Sequence, residues 1–404
     1  MASISRRLVS VAVPSLFLSV LALAQQPSPI SLPAPGATPN VANNSRIVAK
    51  PEGASLKVPA GFSVSVFAEG LTTPRMMAYA PNGDLFVAQR GTGSNQTAVN
   101  GSILVMKGGT PAQKSEYATG LQNPFGMAFQ NGYFYLGQAS KLVRYQYAPG
   151  DVKPAGEPEK LADFPVGGHS TRNIVFSRDG SKIYVAIGSQ SNKEAGEAPI
   201  RATVSEYNPD GTGHRIFASG IRNPVGIALK PGTNEIWVSV NERDTLGDDL
   251  VPDYITSVKD DGFYGWPYSY IGRNPDPQHV GKMPELVARA IVPDVLLPAH
   301  AAAVSVAFYT GTQFPARYRN GAFVGLHGSW NRSTAVGYKV VFVPFQNGRP
   351  SGPPEDFLGG WLITEGPGAI TTWGRPAGVT VAPDGSLLVA DDAGGTIFRV
   401  KYGQ

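Results

Sequence analysis

Short runs of alternating apolar and polar residues, each broken by a turn, recur along most of the chain. The unit is an apolar run, a turn containing Gly and usually Asn or Asp, and a second alternating run. It is found six times: MAYAPNGDLFVAQ from Met77, MAFQNGYFYLGQ from Met127, IVFSRDGSKIYVAIG from Ile174, IALKPGTNEIWVSV from Ile227, VAFYTG…RYRNGAFVGLHG from Val306 and VTVAPDGSLLVAD from Val379. Period-2 runs around Asn-Gly or Asp-Gly predict β-hairpins. The first four copies start 50, 47 and 53 residues apart and the last two intervals are 79 and 73, with no long amphipathic helix between them. Strand pairs at a period near 50 predict an all-β six-bladed β-propeller whose blades share a core. A β-sandwich followed by a second all-β domain does not require one hairpin sentence six times. The two stretched intervals, after Ser239 and around Pro284–Pro315, mark loops long enough to build a site.

The N-terminus departs from this pattern. Arg6 and Arg7 precede an apolar stretch, Leu8 to Leu23, which ends in Ala22-Leu23-Ala24. That order predicts a secretory signal peptide over residues 1–24 and a periplasmic or secreted protein. The run is short and broken for a bilayer span, and no later stretch is long enough, so no stable membrane span is expected. Residues 25–50 are rich in Pro, Ala and Asn without an apolar face; they read as a flexible or polyproline-like tail, or else as an arm packed on the domain. The catalytic domain is then 51–404.

Composition narrows the chemistry. Gly and Pro, 48 and 35 of 404 residues, are about one residue in five, as many turns require. A net charge of +4, dispersed along the chain, argues against a nucleic-acid partner. The absence of cysteine excludes disulfides, Cys-ligated zinc, iron–sulfur clusters, thiol catalysis and covalently attached c-type haem. No Walker, zincin or nucleophile-elbow motif is present, and Gly91-Thr92-Gly93 lacks the third glycine and the helix of a dinucleotide fingerprint.

What is left is a set of polar residues at the entrances of the repeats. His169, in GGHSTRN, precedes the third hairpin and suits a general base; the alternative is a surface histidine. Arg222 and Asn223, in GIRNPVG, precede the fourth; a guanidinium beside an amide binds carboxylate or quinone oxygens. Gln122-Asn123-Pro124-Phe125-Gly126 echoes this motif, so Asn-Pro-x-Gly has a purely structural reading as well. The cluster Asn241-Glu242-Arg243-Asp244-Thr245-Leu246-Gly247-Asp248-Asp249 is the densest in oxygen and has the chemistry of a calcium loop, or of a solvated acidic loop. Arg172, Arg222, Arg332 and Arg375 occupy comparable entrances and are expected to converge on one mouth, where a multiply charged anion binds.

Together, GGHSTRNIVFSRDGSKIYVAIGS, SGIRNPVGIAL, NERDTLGDDLVPD with FYGWPY, LHGSWNRS…GYKVVFVPF and WGRPAGVTVAPDGSLLVADD resemble the sorbosone dehydrogenase branch of the soluble PQQ-dependent sugar dehydrogenases over about residues 55–404. The resemblance implies a six-bladed propeller holding pyrroloquinoline quinone (PQQ) and Ca2+ at the channel mouth, and oxidation of a sugar or sugar aldehyde. By position it implies His169 as the base, Arg222 and Asn223 against the quinone oxygens, and Arg172, His300, Asn331, Arg332 and Arg375 around the cofactor. Arg243 and Asp244 would offer backbone carbonyls to the metal, with Asp248 or Asp249 holding the loop or a second ion. Electrons would leave to an external acceptor, a quinone or a cytochrome. The sequence departs from the pattern of glucose-oxidising relatives at Ser189, where they carry an acidic residue that orients the histidine, and at Ala377, where they carry a second arginine. The other functions compatible with the repeats are a calcium-dependent propeller lactonase and a non-catalytic binding propeller.

Overall fold

The computed structural model describes residues 30–93, 99–364 and 369–403. The expected signal peptide, residues 1–24, lies outside them. The chain divides into two units, Met1–Leu32 and Pro33–Gln404; of the first only residues 30–32 are described, without regular structure.

The second unit is built from five four-stranded antiparallel sheets and one that adds a fifth strand, Gly262–Phe263, parallel to Arg215–Ser219. Each of the six hairpin sentences supplies the first two strands of one sheet. The first strands are Pro74–Tyr79, Met127–Gln130, Arg172–Phe176, Pro224–Leu229, Ala303–Phe308 and Pro376–Val381. Turn chemistry fixes the register. Ser177 N–H bonds Lys182 O at 2.9 Å across the Asp179-Gly180 turn, and Ala80 N–H bonds Asp84 O at 2.8 Å across Asn82-Gly83. The second strands Leu85–Gln89, Ile183–Ile187 and Leu387–Asp391 are buried along their whole length, because a neighbouring sheet covers each face.

First strands touch one another in chain order and the last returns to the first. Gly126 N–H bonds Arg172 O at 3.1 Å. Asn173 Nδ2 bonds Val225 O at 3.1 Å, Ser305 Oγ bonds Ala377 O at 2.6 Å, and Thr380 Oγ1 bonds Met77 O at 2.9 Å. The recurring Pro-x-Gly belongs to this approach. A Cβ on Gly126 would stand 2.5 Å from Ile174 N, on Gly226 2.7 Å from Val306 N, and on Gly378 2.1 Å from Arg75 O. Glycine is required there for backbones to meet, which gives the Pro-x-Gly part of these motifs a packing role.

The sixth sheet is completed by a strand from the other end of the chain. Phe62–Ala68 pairs antiparallel with Thr396–Tyr402, Val64 opposite Val400. Phe62 seals the joint, with its ring centroid 4.8 Å from Phe314, 5.2 Å from Tyr318 and 5.1 Å from Phe357. Ahead of this strand, the segment with two readings adopts the packed one from Gly36 onward. Gly36 N–H bonds Leu246 O, Asn43 N–H bonds Trp330 O, and Arg46–Ile47 pairs parallel with Thr371–Thr372. Thr38, Asn40 and Asn43 carry polar side chains that meet backbone groups of two loops, so this stretch is no flexible tail.

Phe62→Ala should destabilise the fold by about 2–4 kcal/mol through the cavity it leaves, read as a lower urea midpoint; an unchanged midpoint would show that the joint is not a stabilising seam.

Candidate active site

Five of the first strands begin beside a cavity of about 290 Å³, and the residues at those entrances line it. Arg75 comes from the first sheet, His169 from the turn before the third, Arg222 and Asn223 from the fourth, His300 from the turn before the fifth, and Arg375 from the sixth; His327 and Trp330 follow the second strand of the fifth.

His169 is oriented without a carboxylate. Its Nδ1 lies 3.0 Å from both the carbonyl and the Oγ of Ser189, whose hydroxyl donates at 2.6 Å to Ser191 O. A carbonyl only accepts and that hydroxyl's proton is committed elsewhere, so Nδ1 carries the ring proton and Nε2 the lone pair. Burial, helped by the charge of Arg222, pushes the ring's pKa down to about 3, so the imidazole is neutral at physiological pH. Ser189 thus fills the role left open by the missing acid.

Arg222 lies beside this turn, its carbonyl accepting Ser189 N–H at 2.7 Å, and is the hub of the acidic loop. Its Nε bonds Asn192 O at 3.1 Å, Nη1 bonds Asn241 O at 3.1 Å and Glu242 O at 2.5 Å, and Nη2 bonds Asn192 Oδ1 at 2.9 Å and Asp244 Oδ2 at 3.2 Å. All five donors are spent on the chain, so Arg222 holds the acidic loop instead of presenting a donor to a quinone. Its neighbour differs: the buried Oδ1 of Asn223 has no hydrogen-bond partner among the described residues, nor does Nδ2 of Asn241 on the same wall.

Asp244 accepts from Arg222 and from His300 Nδ1 at 3.2 Å, while His300 Nε2 meets Gly247 O at 2.9 Å. Burial penalises a charged His300, but the bonds to Asp244 and Gly247 outweigh it and raise its pKa. On the same wall, burial pushes the carboxyl of Glu242 up to about 8 and that of Asp253 up to about 7. Arg375 is anchored by Nε to His327 O and Nη2 to Gly328 O, both at 2.9 Å.

The remaining expected residues do not line the cavity. Arg172 is wholly buried beneath the His169 turn and bonds the carbonyls of His169, Thr171 and Pro165, which fixes that turn. Asn331 bridges Thr245 N–H and Val41 O. Arg332 bonds Asp248 O and pairs with Asp249, whose side chain is mostly exposed. Arg243 is buried against Asp276, and the Asp248 carboxylate is taken by Ser333. Entrance position alone does not tell which way a side chain turns.

Arg75 and His327, which line the cavity, and Asp392 behind them were not anticipated. Asp392 accepts from Arg75 Nη1 at 2.5 Å and His327 Nε2 at 2.8 Å. Burial opposes its charge, yet these partners hold the carboxyl well below the usual range. His327 is kept neutral, its pKa pushed down to about 4 by burial and by Arg375 against the pull of Asp392. A sequence signal existed: Thr-Pro-Arg75 opens the first sheet much as Gly-Arg375-Pro opens the sixth.

The residues present suit a tricarboxylate quinone: Arg75, Arg375 and His169 line one cavity, and the orphaned Asn223 Oδ1 and Asn241 Nδ2 require polar partners. Of the two carbonyls expected to meet calcium, those of Arg243 and Asp244, that of Asp244 already receives Thr245 Oγ1 at 2.6 Å and Asn192 Nδ2 at 3.1 Å. Among the described residues no three His, Asp or Glu side chains gather as a metal cage.

Comparison with known proteins agrees with the motifs. The TrAA12-like family model matches residues 56–256 and 287–403. The chain belongs to the TrAA12-like family. An uncharacterised protein of Borreliella burgdorferi is 30% identical over 363 residues, 86% of this chain and 91% of that one. The pyrroloquinoline quinone-dependent pyranose dehydrogenase of Coprinopsis cinerea is 24% identical over 412 residues, 86% of this chain. The chain spans only about half, 54%, of that enzyme's length. Among solved structures, the holo PQQ domain of the Coprinopsis pyranose dehydrogenase superposes with a TM-score of 0.70 at 22% identity, covering 86% of this chain and 97% of that one. The calcium structure of the Trichoderma reesei carbohydrate-active enzyme of family AA12 gives 0.72 at 20%, covering 89% and 99%. The resemblance to soluble PQQ-dependent sugar dehydrogenases therefore stands; residues 257–286, between the two matched stretches, lie outside the TrAA12-like model.

Arg75→Met should leave the buried Asp392 carboxylate with His327 alone, costing about 3–5 kcal/mol and raising the His327 pKa above its present value near 4. NMR titration of the ring checks the direction; an unmoved His327 would show that Arg75 is not coupled to it.

Proposed function

We propose that the six sheets are the blades of a six-bladed β-propeller and that the cavity where their first strands begin binds PQQ for the oxidation of a sugar or sugar aldehyde in an exported quinoprotein. The observation that carries this reading is the pairing, in one cavity, of a neutral imidazole of assigned tautomer with two arginines and two orphaned amide atoms.

PQQ, when bound, supplies a quinone that accepts the hydride lost by the substrate carbon. The chain's own residues do the rest. His169 Nε2 takes the proton of the substrate hydroxyl, or of one hydroxyl of a hydrated aldehyde, as that carbon becomes a carbonyl. Ser189 keeps the ring in the tautomer able to do so, and Arg172 fixes the turn that carries it. Arg75 and Arg375 attract the carboxylates of the cofactor, and Asn223 and Asn241 offer it an acceptor and a donor. Calcium enters this reading through the oxygen-rich loop and the family resemblance, with a calcium structure of the Trichoderma protein among the similar folds, and no step is assigned to it. The two electrons pass on to an external quinone or cytochrome.

The test is reconstitution with PQQ, followed by its absorbance on binding and by dye reduction with pyranoses, sugar aldehydes and simple alcohols. Binding and sugar-dependent reduction are expected; a wild-type chain that binds no PQQ would sink the reading. His169→Gln should keep cofactor affinity and lose about 10²–10⁴ in kcat. Because the pKa of His169 lies near 3, its base form is populated throughout pH 5–7, so kcat/KM should show no titration near 6.5, the value of an ordinary histidine. A pH profile with an inflection at 6–7 that His169→Gln abolishes would contradict this.

A further inference from the structure

The N-terminal segment that precedes the first sheet lies on the acidic loop of the cavity, and its contacts are matched one to one. Thr38 Oγ1 accepts Asp248 N–H at 2.7 Å, and Asn40 Oδ1 accepts Gly247 N–H at 2.9 Å. Gly36 N–H donates to Leu246 O at 2.9 Å. Three consecutive loop residues are thus held through their backbones. The fit is close: a Cβ on Gly247, whose φ is +104°, would stand 2.8 Å from Thr38 Oγ1 and 2.9 Å from Thr38 O.

Asn331 extends this hold to the next loop. Its Oδ1 accepts Thr245 N–H at 2.7 Å while its Nδ2 donates to Val41 O at 2.5 Å. Asn43 N–H then bonds the carbonyl of Trp330 at 2.6 Å, and Asn43 Nδ2 bonds Ser333 O at 2.9 Å. The other sides of these residues face the cavity chemistry. Gly247 O receives His300 Nε2, Thr245 follows Asp244, and Trp330 lines the cavity with 42% of its surface exposed.

We propose that the strap Gly36–Asn43, together with Asn331, positions the cavity: it fixes Gly247 against His300 and Thr245 beside Asp244, and holds the backbone of Trp330, so that affinity for the bound anion depends on a segment outside the six sheets. None of the strap residues lines the cavity. They are positioning residues, and the identity of the ligand rests on the PQQ reading.

Thr38, Asn40 and Asn331 each guard one amide, which makes the test specific. In the full-length protein, Thr38→Ala should expose the Asp248 amide, Asn40→Ala that of Gly247, and Asn331→Leu that of Thr245. Amide hydrogen exchange at each should rise about tenfold or more, with exchange in the central strand Ile183–Ile187 unchanged. The triple variant Thr38→Ala/Asn40→Ala/Asn43→Ala should bind PQQ about tenfold more weakly by absorbance titration and raise KM for sugar more than it lowers kcat. Asn331→Asp, which keeps the acceptor for Thr245, should protect that amide as the wild type does, and it serves where Asn331→Leu disturbs folding. Exchange that stays unchanged at the guarded amides would overturn the proposal, and so would raised exchange with undiminished PQQ affinity. A wild-type chain that binds no PQQ would defeat the functional reading, while exchange at the guarded amides still decides whether the strap holds the loop.

Discussion

The site is organised around one buried guanidinium. Arg222 has five N–H donors, and away from water each must find an acceptor or cost the fold its desolvation. The acceptors are the carbonyls of Asn192, Asn241 and Glu242, the amide of Asn192 and the carboxylate of Asp244. By meeting that demand, loops from two different sheets are brought to one place. Asp244, so held, takes His300; the carbonyl of Arg222 receives the amide of Ser189, which orients His169. The base and the acidic loop share one anchor.

The same economy explains why the base needs no acid behind it. A carboxylate beside His169 would raise its pKa and place a charge in a cavity suited to anions. A serine that accepts from Nδ1 while donating to Ser191 fixes the same tautomer without that charge. Across the cavity the opposite solution appears: Asp392 orients His327, but with Arg75 at 2.5 Å to balance it. Neither arrangement leaves an unbalanced negative group facing the cavity.

Much of this was legible in the chain. The six hairpin sentences predict the first two strands of six sheets, because turn residues and period-2 alternation are local properties. His169, Arg222, Asn223 and Arg375 were found from their place at strand entrances, Asp244 from the oxygen-rich cluster and His300 from the family resemblance, and all six line the cavity. Arg172, Arg243, Asn331, Arg332, Asp248 and Asp249 share such places or lie nearby, yet turn away from the cavity, because local sequence sets position along the chain and tertiary demand sets direction. Arg75 and Asp392 were missed for a different reason: the pair spans 317 residues and forms only when the last sheet meets the first. The packed arm was readable only as one of two alternatives, since polar side chains that cap a distant loop look the same in sequence as those of a free tail.

Membership of the TrAA12-like family places the chain among proteins whose relatives include PQQ-dependent sugar dehydrogenases, and the arrangement described here gives that relationship a physical content. The most direct measurement is a crystal structure of the protein soaked with PQQ. Density for the cofactor in the cavity lined by Arg75, Arg375 and His169, with Asn223 Oδ1 and Asn241 Nδ2 newly partnered, is the predicted result. A cofactor bound elsewhere on the protein, or a cavity that stays closed to it at saturating concentration, would contradict the account.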